Sequence, residues 1–194
     1  MVHAIRDPRE PHLSLFADEE VAIADMSIKR RMEFAAGRSA GHAVLESLGY
    51  PATSIPTGRD RAPIWPSDVV GSVSHSKDVC VAVAALSCNV RAIGIDVENL
   101  MSLDDGLPAD IASPMELACM NAPAGMASLC AFSMKEAAYK AQYPISRTPL
   151  DFYALEVTPQ GLRFRCPVPG FPRGTLLPIR QWTNADLCLS LCIL

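Results

Sequence analysis

GSVSHSKDVCVAVAALSCNVRAIGIDVE, residues 71–98, reads as three strands in quick succession. Gly71 to His75, Val79 to Leu86 and Arg91 to Val97 are rich in β-branched and small apolar residues, and turn-forming Ser76-Lys77-Asp78 and Ser87-Cys88-Asn89 separate them. Connections this short join antiparallel neighbours, so the stretch predicts a meander. Upstream, Ser27 to Leu48 predicts one helix, opened by a Ser cap and closed by Gly49, with Phe34, Gly37, Gly41, Val44, Leu45 and Leu48 on one face. Residues 50 to 70 hold Pro51, Pro56, Gly58, Pro63 and Pro66 and predict an ordered loop or short edge segment.

Downstream the character changes. Ser113-Pro114-Met115-Glu116 is a capping box with proline at the first helical position, which predicts a short helix, and a second helix is expected from about Met126 to Gln142, ended by Pro144. Strands follow at Tyr153 to Val157, Leu162 to Arg165, Leu176 to Trp182 and Asp186 to Ile193, with the Pro-rich CPVPGFPRG between. The order helix, strands, helices, strands predicts an α+β chain of two halves, each a helix on a small, mainly antiparallel sheet. The seam is expected near Glu98 to Ser102, giving halves 1–99 and 100–194.

Composition narrows the function classes. The 194 residues are 49% hydrophobic and 20% charged, which excludes a disordered chain. The longest apolar run, Val79 to Leu86, is far short of a membrane span, and the N-terminal MVHAIRDPRE has no apolar signal core, so no membrane or export segment is expected. A formal charge of −4 argues against broad nucleic-acid coating. Seven cysteines, an odd number with no C-x-x-C, predict reduced and mostly buried thiols in a cytoplasmic setting, and leave any metal to oxygen ligands.

Three patterns carry candidate chemistry. In Gly94-Ile95-Asp96-Val97-Glu98, the two-residue period of a strand puts Ile93, Ile95 and Val97 on one face and Asp96 with Glu98 on the other. Two carboxylates at a strand end suit Mg²⁺, which takes a few such oxygens and leaves room for water and phosphate; the ordinary alternative is a solvated polar face. In FSMKEAAYK, Phe132, Glu136 and Lys140 recur every four residues along one helix face. Glu136 could be a third metal oxygen and Lys140 a phosphate partner, or the two could form an exposed i, i+4 pair of small value. Arg31, Arg38 and His42 share a narrow arc of the first helix beside its apolar face, an edge position that fits an anion groove as well as a solvated flank. Ser72 and Ser74 share one strand face opposite His75, and Arg61 lies upstream in the Pro-rich loop. No nucleophilic triad or Gly-rich phosphate loop can be assembled from spacing.

In chain order, GRSAGHAVLESLGY, RAPIWP, GSVSHS, IGIDVE and FSMKEAAYKA resemble the motif set of the 4′-phosphopantetheinyl transferases of the surfactin and enterobactin synthetase type, over about Lys29 to Gln142. The RAPIWP and GSVSHS passage is most similar to the enterobactin branch. The resemblance implies a pseudo-twofold pair of similar halves with coenzyme A in the cleft between them. It also implies transfer of the phosphopantetheine arm to a serine of an apo acyl, peptidyl or aryl carrier protein, with release of adenosine 3′,5′-bisphosphate. By the same resemblance, Asp96, Glu98 and Glu136 would hold Mg²⁺ (or Mn²⁺), Lys135 and Lys140 would meet phosphate oxygens, and Ser74, His75, Arg38 and, less directly, Arg31 would bind phosphates. Arg61 would border the adenine, and Glu136 is the candidate base for the incoming hydroxyl. Phe132 stands where many members carry Trp, and Val97 offers no ligand, so a water is expected in that place.

Residues 103 to 126 mix apolar groups with loop chemistry and are expected to contact the carrier protein through residues such as Leu117 and Met120, or else to pack on their own half. A monomer is expected, because the implied architecture supplies its own cleft. Two other function classes use the same residues: an idle coenzyme A or nucleotide-binding module, and a Mg²⁺-dependent nucleotide phosphohydrolase.

Overall fold

The computed structural model describes residues 1–11, 15–100, 111–120, 122 and 125–194. It divides after Arg91 into two compact units, Met1–Arg91 and Ala92–Leu194.

The first unit contains β1 (Val2–Arg6), α1 (Ala17–Val21), α2 (Ile28–Ser47), β2 (Val69–His75) and β3 (Cys80–Leu86). As expected, Ser27 caps α2 by accepting from the Arg30 amide, and Gly49 follows its end at φ +89°, a left-handed turn that glycine adopts without strain. The sheet order is β1-β3-β2, antiparallel throughout. β1 was not anticipated: its alternating exposure marks an edge strand, with His3 and Ile5 outward, too short and polar to register as a strand in sequence. It occupies the place beside β3 that the predicted meander assigned to the third strand. Helix α2 lies on this sheet through small residues, and Ala40, Val44 and Leu45 pack with Ile55, Ala82 and Ala84.

The second unit contains β4 (Ile93–Asn99), α3 (Pro114–Ala118), α4 (Ala127–Ser146), β5 (Leu155–Thr158), β6 (Gly161–Phe164), β7 (Leu176–Leu177), β8 (Ile179–Thr183) and β9 (Leu187–Ile193). β4 leaves the expected meander because its partner is β9, antiparallel from Ile93↔Ile193 to Asn99↔Leu187. The boundary expected near residues 98–102 therefore moves to residue 91, and the strand bearing Asp96 and Glu98 belongs to the second unit. This unit holds two sheets, β4-β9-β8 and β5-β6-β7, where one was expected. The single strand predicted over Leu176 to Trp182 is cut at Pro178, which has no amide to donate to a ladder, and its two pieces join different sheets. α3 forms on the predicted capping box. α4 runs on through Pro144 and ends only where Arg147 turns left-handed at φ 53°. A proline one turn from the end loses a single ladder bond, which the Gln142 to Ser146 side-chain contacts outlast.

Candidate active site

β4 turns alternate side chains to opposite faces: Ile93, Ile95 and Val97 are each no more than 2% exposed, while Gly94, Asp96 and Glu98 face α4. Gly94 sets how close that helix comes. A Cβ there would lie 1.9 Å from the Ala137 carbonyl oxygen and 2.5 Å from the Ala141 nitrogen, so only glycine lets the α4 backbone rest directly on the strand. Ser133 Oγ donates to Ser190 Oγ at 2.9 Å, tying the same helix to β9, where Ser190 is the register partner of Asp96. The result is that Lys140 Nζ, one helical turn beyond Glu136, donates to Asp96 Oδ1 at 2.8 Å. Val97, 1% exposed, points to the opposite face from Asp96. Phe132 packs its ring 5.6 Å from Phe152.

The three acids sense one another. Burial first, then the Asp96 charge and a hydrogen bond with Asp96, push the Glu98 carboxyl up to about 8, with Lys140 opposing and Glu136 adding to the rise. Burial likewise raises Glu136, against Lys140 and with Asp96. Among the described residues no three His, Cys, Asp or Glu side chains form a ready metal cage, and the cation held at Asp96 is the Lys140 ammonium. The donor chemistry nevertheless fits a hard divalent ion: the ligating groups gathered here among the described residues are carboxylate oxygens, partly buried and mutually repelling, and a cation relieves that repulsion.

Lys135 does not face this cluster. It is 3% exposed, and Nζ donates to the carbonyls of Ile111 at 2.6 Å and Phe152 at 2.7 Å, 3.5 Å from Glu116 Oε1. Glu116 also accepts from the Ser113 and Val157 amides and lies 3.2 Å from Arg165, so Lys135 completes an interior network and is no ligand group. A signal for this existed in the sequence: Lys135 falls on the stripe of Ala131, Ala138 and Gln142, all fully buried. Leu117 and Met120, expected at a partner contact, pack on the unit's own core, whereas Met115 is 79% exposed beside a groove of about 1030 Å³ shared with Tyr153 and Leu176. Residues 103–110, 121, 123 and 124 of that expected contact lie outside the described residues.

In the first unit, two clusters gather cations. Arg38, only 6% exposed, lies with its guanidinium 4.3 Å over the Phe34 ring and donates through Nη2 to Thr57 Oγ1 at 2.8 Å. Its Nε stands 4.0 Å from Glu19 Oε1, to which His42 Nε2 is bonded at 2.8 Å. Separately, Arg30 Nη1 donates to His75 Nε2 at 2.5 Å, which makes that ring nitrogen an acceptor, and Glu33 lies 3.1 Å from Arg30. Ser72 and Ser74 are buried on one face of β2 and His75 is on the other, as the period predicts. Arg31 and Arg61 are exposed and join neither cluster; Arg61 holds a left-handed φ of 66° in its turn. The sequence reading missed Glu19, on a five-residue helix without apolar periodicity, and took Arg31 where Arg30 makes the contact.

Comparison with known proteins follows the division into units. Residues 18–85 match the family model of the 4′-phosphopantetheinyl transferase N-terminal domain, and residues 92–172 match that of the 4′-phosphopantetheinyl transferase superfamily. The chain is 36% identical over 164 residues to 4′-phosphopantetheinyl transferase Svp of Streptomyces mobaraensis, covering 80% of this chain and 65% of the relative. It is 34% identical over 151 residues to 4′-phosphopantetheinyl transferase PptT of Mycobacterium tuberculosis, covering 76% and 66%. It is 37% identical over 118 residues to enterobactin synthase component D of Escherichia coli, covering 58% and 55%. The matches thus span just under two thirds of the first two relatives' length.

Proposed function

The chain belongs to the 4′-phosphopantetheinyl transferase superfamily, and we propose that it transfers the phosphopantetheine arm of coenzyme A to a serine of an apo carrier protein. A bond forms between the serine oxygen and the inner phosphorus of the arm, the pyrophosphate bridge breaks, and adenosine 3′,5′-bisphosphate leaves. The observation that carries this reading is the seating of α4 on Gly94, which brings Lys140 onto Asp96 and couples Glu98 and Glu136 to the same charge.

In this reading Asp96, Glu98 and Glu136 hold Mg²⁺ or Mn²⁺, which when bound would neutralise the pyrophosphate charge. Lys140 exchanges Asp96 for a phosphate oxygen when coenzyme A arrives, supplying a cation where charge develops on the leaving group. Glu136 is the candidate base for the serine proton; in the metal-free protein burial raises its carboxyl. Arg38, Ser74 and His75 serve coenzyme A phosphates, with Arg30 fixing the ring of His75, and Arg61 borders the adenine. The acceptors proposed are carrier proteins of siderophore, nonribosomal peptide or polyketide assembly; one relative is named enterobactin synthase component D. We infer a cytoplasmic setting from the mostly apolar context of the seven cysteines; no helix among the described residues is long and apolar enough to cross a membrane. A monomer suffices for this chemistry.

The test is direct: purified protein, coenzyme A, Mg²⁺ and several apo carrier proteins, read by intact mass. The expected result is a gain of one phosphopantetheine, abolished by chelation and by Asp96→Ala. Coenzyme A binding without transfer to any carrier would replace this reading with an idle binding module. Consumption of coenzyme A without a carrier would replace it with a phosphohydrolase.

A further inference from the structure

A carboxylate in the first unit makes more contacts than its helix requires. Glu19 is 0% exposed. At the start of α1, Oε2 accepts from the Phe16 amide at 3.0 Å, and capping that end needs nothing further. Oε1 instead turns toward α2 and the loop after it, where it is bonded to His42 Nε2 at 2.8 Å, accepts from the Ile55 amide at 2.7 Å, and stands 4.0 Å from Arg38 Nε. Those bonds outweigh burial and hold the Glu19 carboxyl below its ordinary value, so it is an anion at neutral pH.

Each contact bears on Arg38. The guanidinium is clamped by Phe34 beneath it and Thr57 at Nη2, while Nε, buried, has no hydrogen-bond acceptor among the described residues and stands 4.0 Å from the Glu19 carboxylate. Thr57 lies two residues after Ile55, whose amide Glu19 holds, so one carboxylate orders both the cation and the loop that carries its acceptor. Burial disfavours the Arg38 charge and Glu19 opposes that effect. We propose that Glu19 is the positioning residue of the first unit's phosphate-binding arginine: it fixes the Arg38 fork against Thr57 before coenzyme A arrives. This rests on the reading above that Arg38 meets a coenzyme A phosphate. The physical advantage is preorganisation, since a guanidinium already ordered loses little freedom when the phosphate binds.

The experiment measures coenzyme A affinity by calorimetry, and KM and kcat for carrier loading, in the full chain. Glu19→Gln keeps an oxygen for the Phe16 or Ile55 amide and removes the charge. It is expected to raise the Kd and KM for coenzyme A about tenfold with kcat within about twofold, the scale of one charge-assisted hydrogen bond. Arg38→Ala should give a similar loss, and the double variant no more than the larger single loss, because Glu19 acts through Arg38. Additive losses, or an unchanged Kd in folded Glu19→Gln while Arg38→Ala weakens binding, would overturn the positioning role alone. An unchanged Kd in Arg38→Ala would overturn its premise. If Glu19→Gln does not fold, Glu19→Asp carries the test: it keeps the first-turn charge but is one methylene too short to cap Phe16 and still hold Ile55 and His42. It must show the same rise in KM, and wild-type affinity in that variant would refute the proposal.

Discussion

Replacing Gly94 with alanine tests how the second unit assembles its charges. The new methyl carbon would sit 1.9 Å from the Ala137 carbonyl oxygen and 2.5 Å from the Ala141 nitrogen. Ordinary contact begins near 3.4 Å, so α4 must withdraw by about 1.5 Å or β4 must bend by as much. Both atoms are main chain of a 20-residue helix, and no rotamer change can absorb the overlap. Overpacking of this kind costs about 1–3 kcal/mol and belongs at the upper end here, while alanine returns about 0.5–1 kcal/mol of strand entropy. The net is about 2 kcal/mol, a fall in Tm of about 4–8 °C. Activity should suffer more than stability. The 2.8 Å contact from Lys140 to Asp96 would open beyond hydrogen-bond range, and misplacement by about 1 Å costs on the order of a hundredfold in rate. The assay is thermal unfolding beside carrier loading at a temperature where the variant is folded. Gly41→Ala is the matched control: its Cβ would lie 2.5 Å from Ile55 Cδ1, the tip of a side chain that can rotate, and a helix interior gains about 1 kcal/mol from the exchange. It should be near neutral in both measurements. Gly94→Ala with wild-type Tm and rate, or Gly41→Ala equally damaging, would refute the reasoning.

Lys135→Met breaks a buried ion pair and leaves two interior carbonyls without their donor, so a loss of about 3–5 kcal/mol is expected with coenzyme A affinity of the folded protein unchanged; weakened affinity at wild-type Tm would return Lys135 to the binding site. Glu98 raised to about 8 stabilises the metal-free fold fully below its unfolded value of 4.5, and that contribution is lost as pH rises through about 8. Glu116, lowered to about 2, contributes above 4.5 and is lost as pH falls toward 2. Metal-free Tm should therefore peak near pH 5, Mg²⁺ should lift its alkaline limb, and Glu98→Gln should flatten that limb; a Tm that climbs from pH 5 to 9 without metal would contradict the assignment. Alkylation of the native protein followed by mass spectrometry should label Cys88, Cys119 and Cys166, which are exposed, and reach Cys80, Cys130, Cys188 and Cys192 only on unfolding; rapid labelling of any buried thiol would show that its element opens locally.

Local signals were legible where the chemistry is local. Ser27 and Gly49 bound α2, and the Ser113 to Glu116 box starts α3, because caps satisfy orphan amides within a few residues. The strand period also placed Asp96 and Glu98 on one face. What periodicity does not encode is the partner. β4 pairs with β9 almost a hundred residues later, so the meander failed at its third strand, and the unit boundary moved with it. Pro144 was read as a stop because a proline's penalty is counted in isolation, yet near a helix end little remains to be lost. Glu19 and Lys135 share another cause of illegibility. A charged residue reads as surface in any sequence, and both are interior because several distant backbone groups converge on them.

The two long helices solve one problem in the same way. Each meets its sheet through small residues, Ala36, Gly37, Ala40 and Gly41 in α2 and Ala131, Ala137, Ala138 and Ala141 in α4, all buried. Such a stripe brings the helix backbone close to the strands. It gives up apolar burial that a row of leucines would provide, and each seam carries a serine bond between helix and sheet: Arg6 Nε donates to Ser39 Oγ in the first unit, and Ser133 donates to Ser190 in the second. Close seating has a chemical consequence. A polar residue flanking the stripe starts near the sheet, so Arg38 reaches Thr57 and Glu19 and Lys140 reaches Asp96 while remaining largely shielded from water. Shielding strengthens every charge interaction in these clusters. A side chain well beyond alanine in size in either stripe would lift the helix and, with it, return the cations to solvent, so the small stripe and the charged site form a single device.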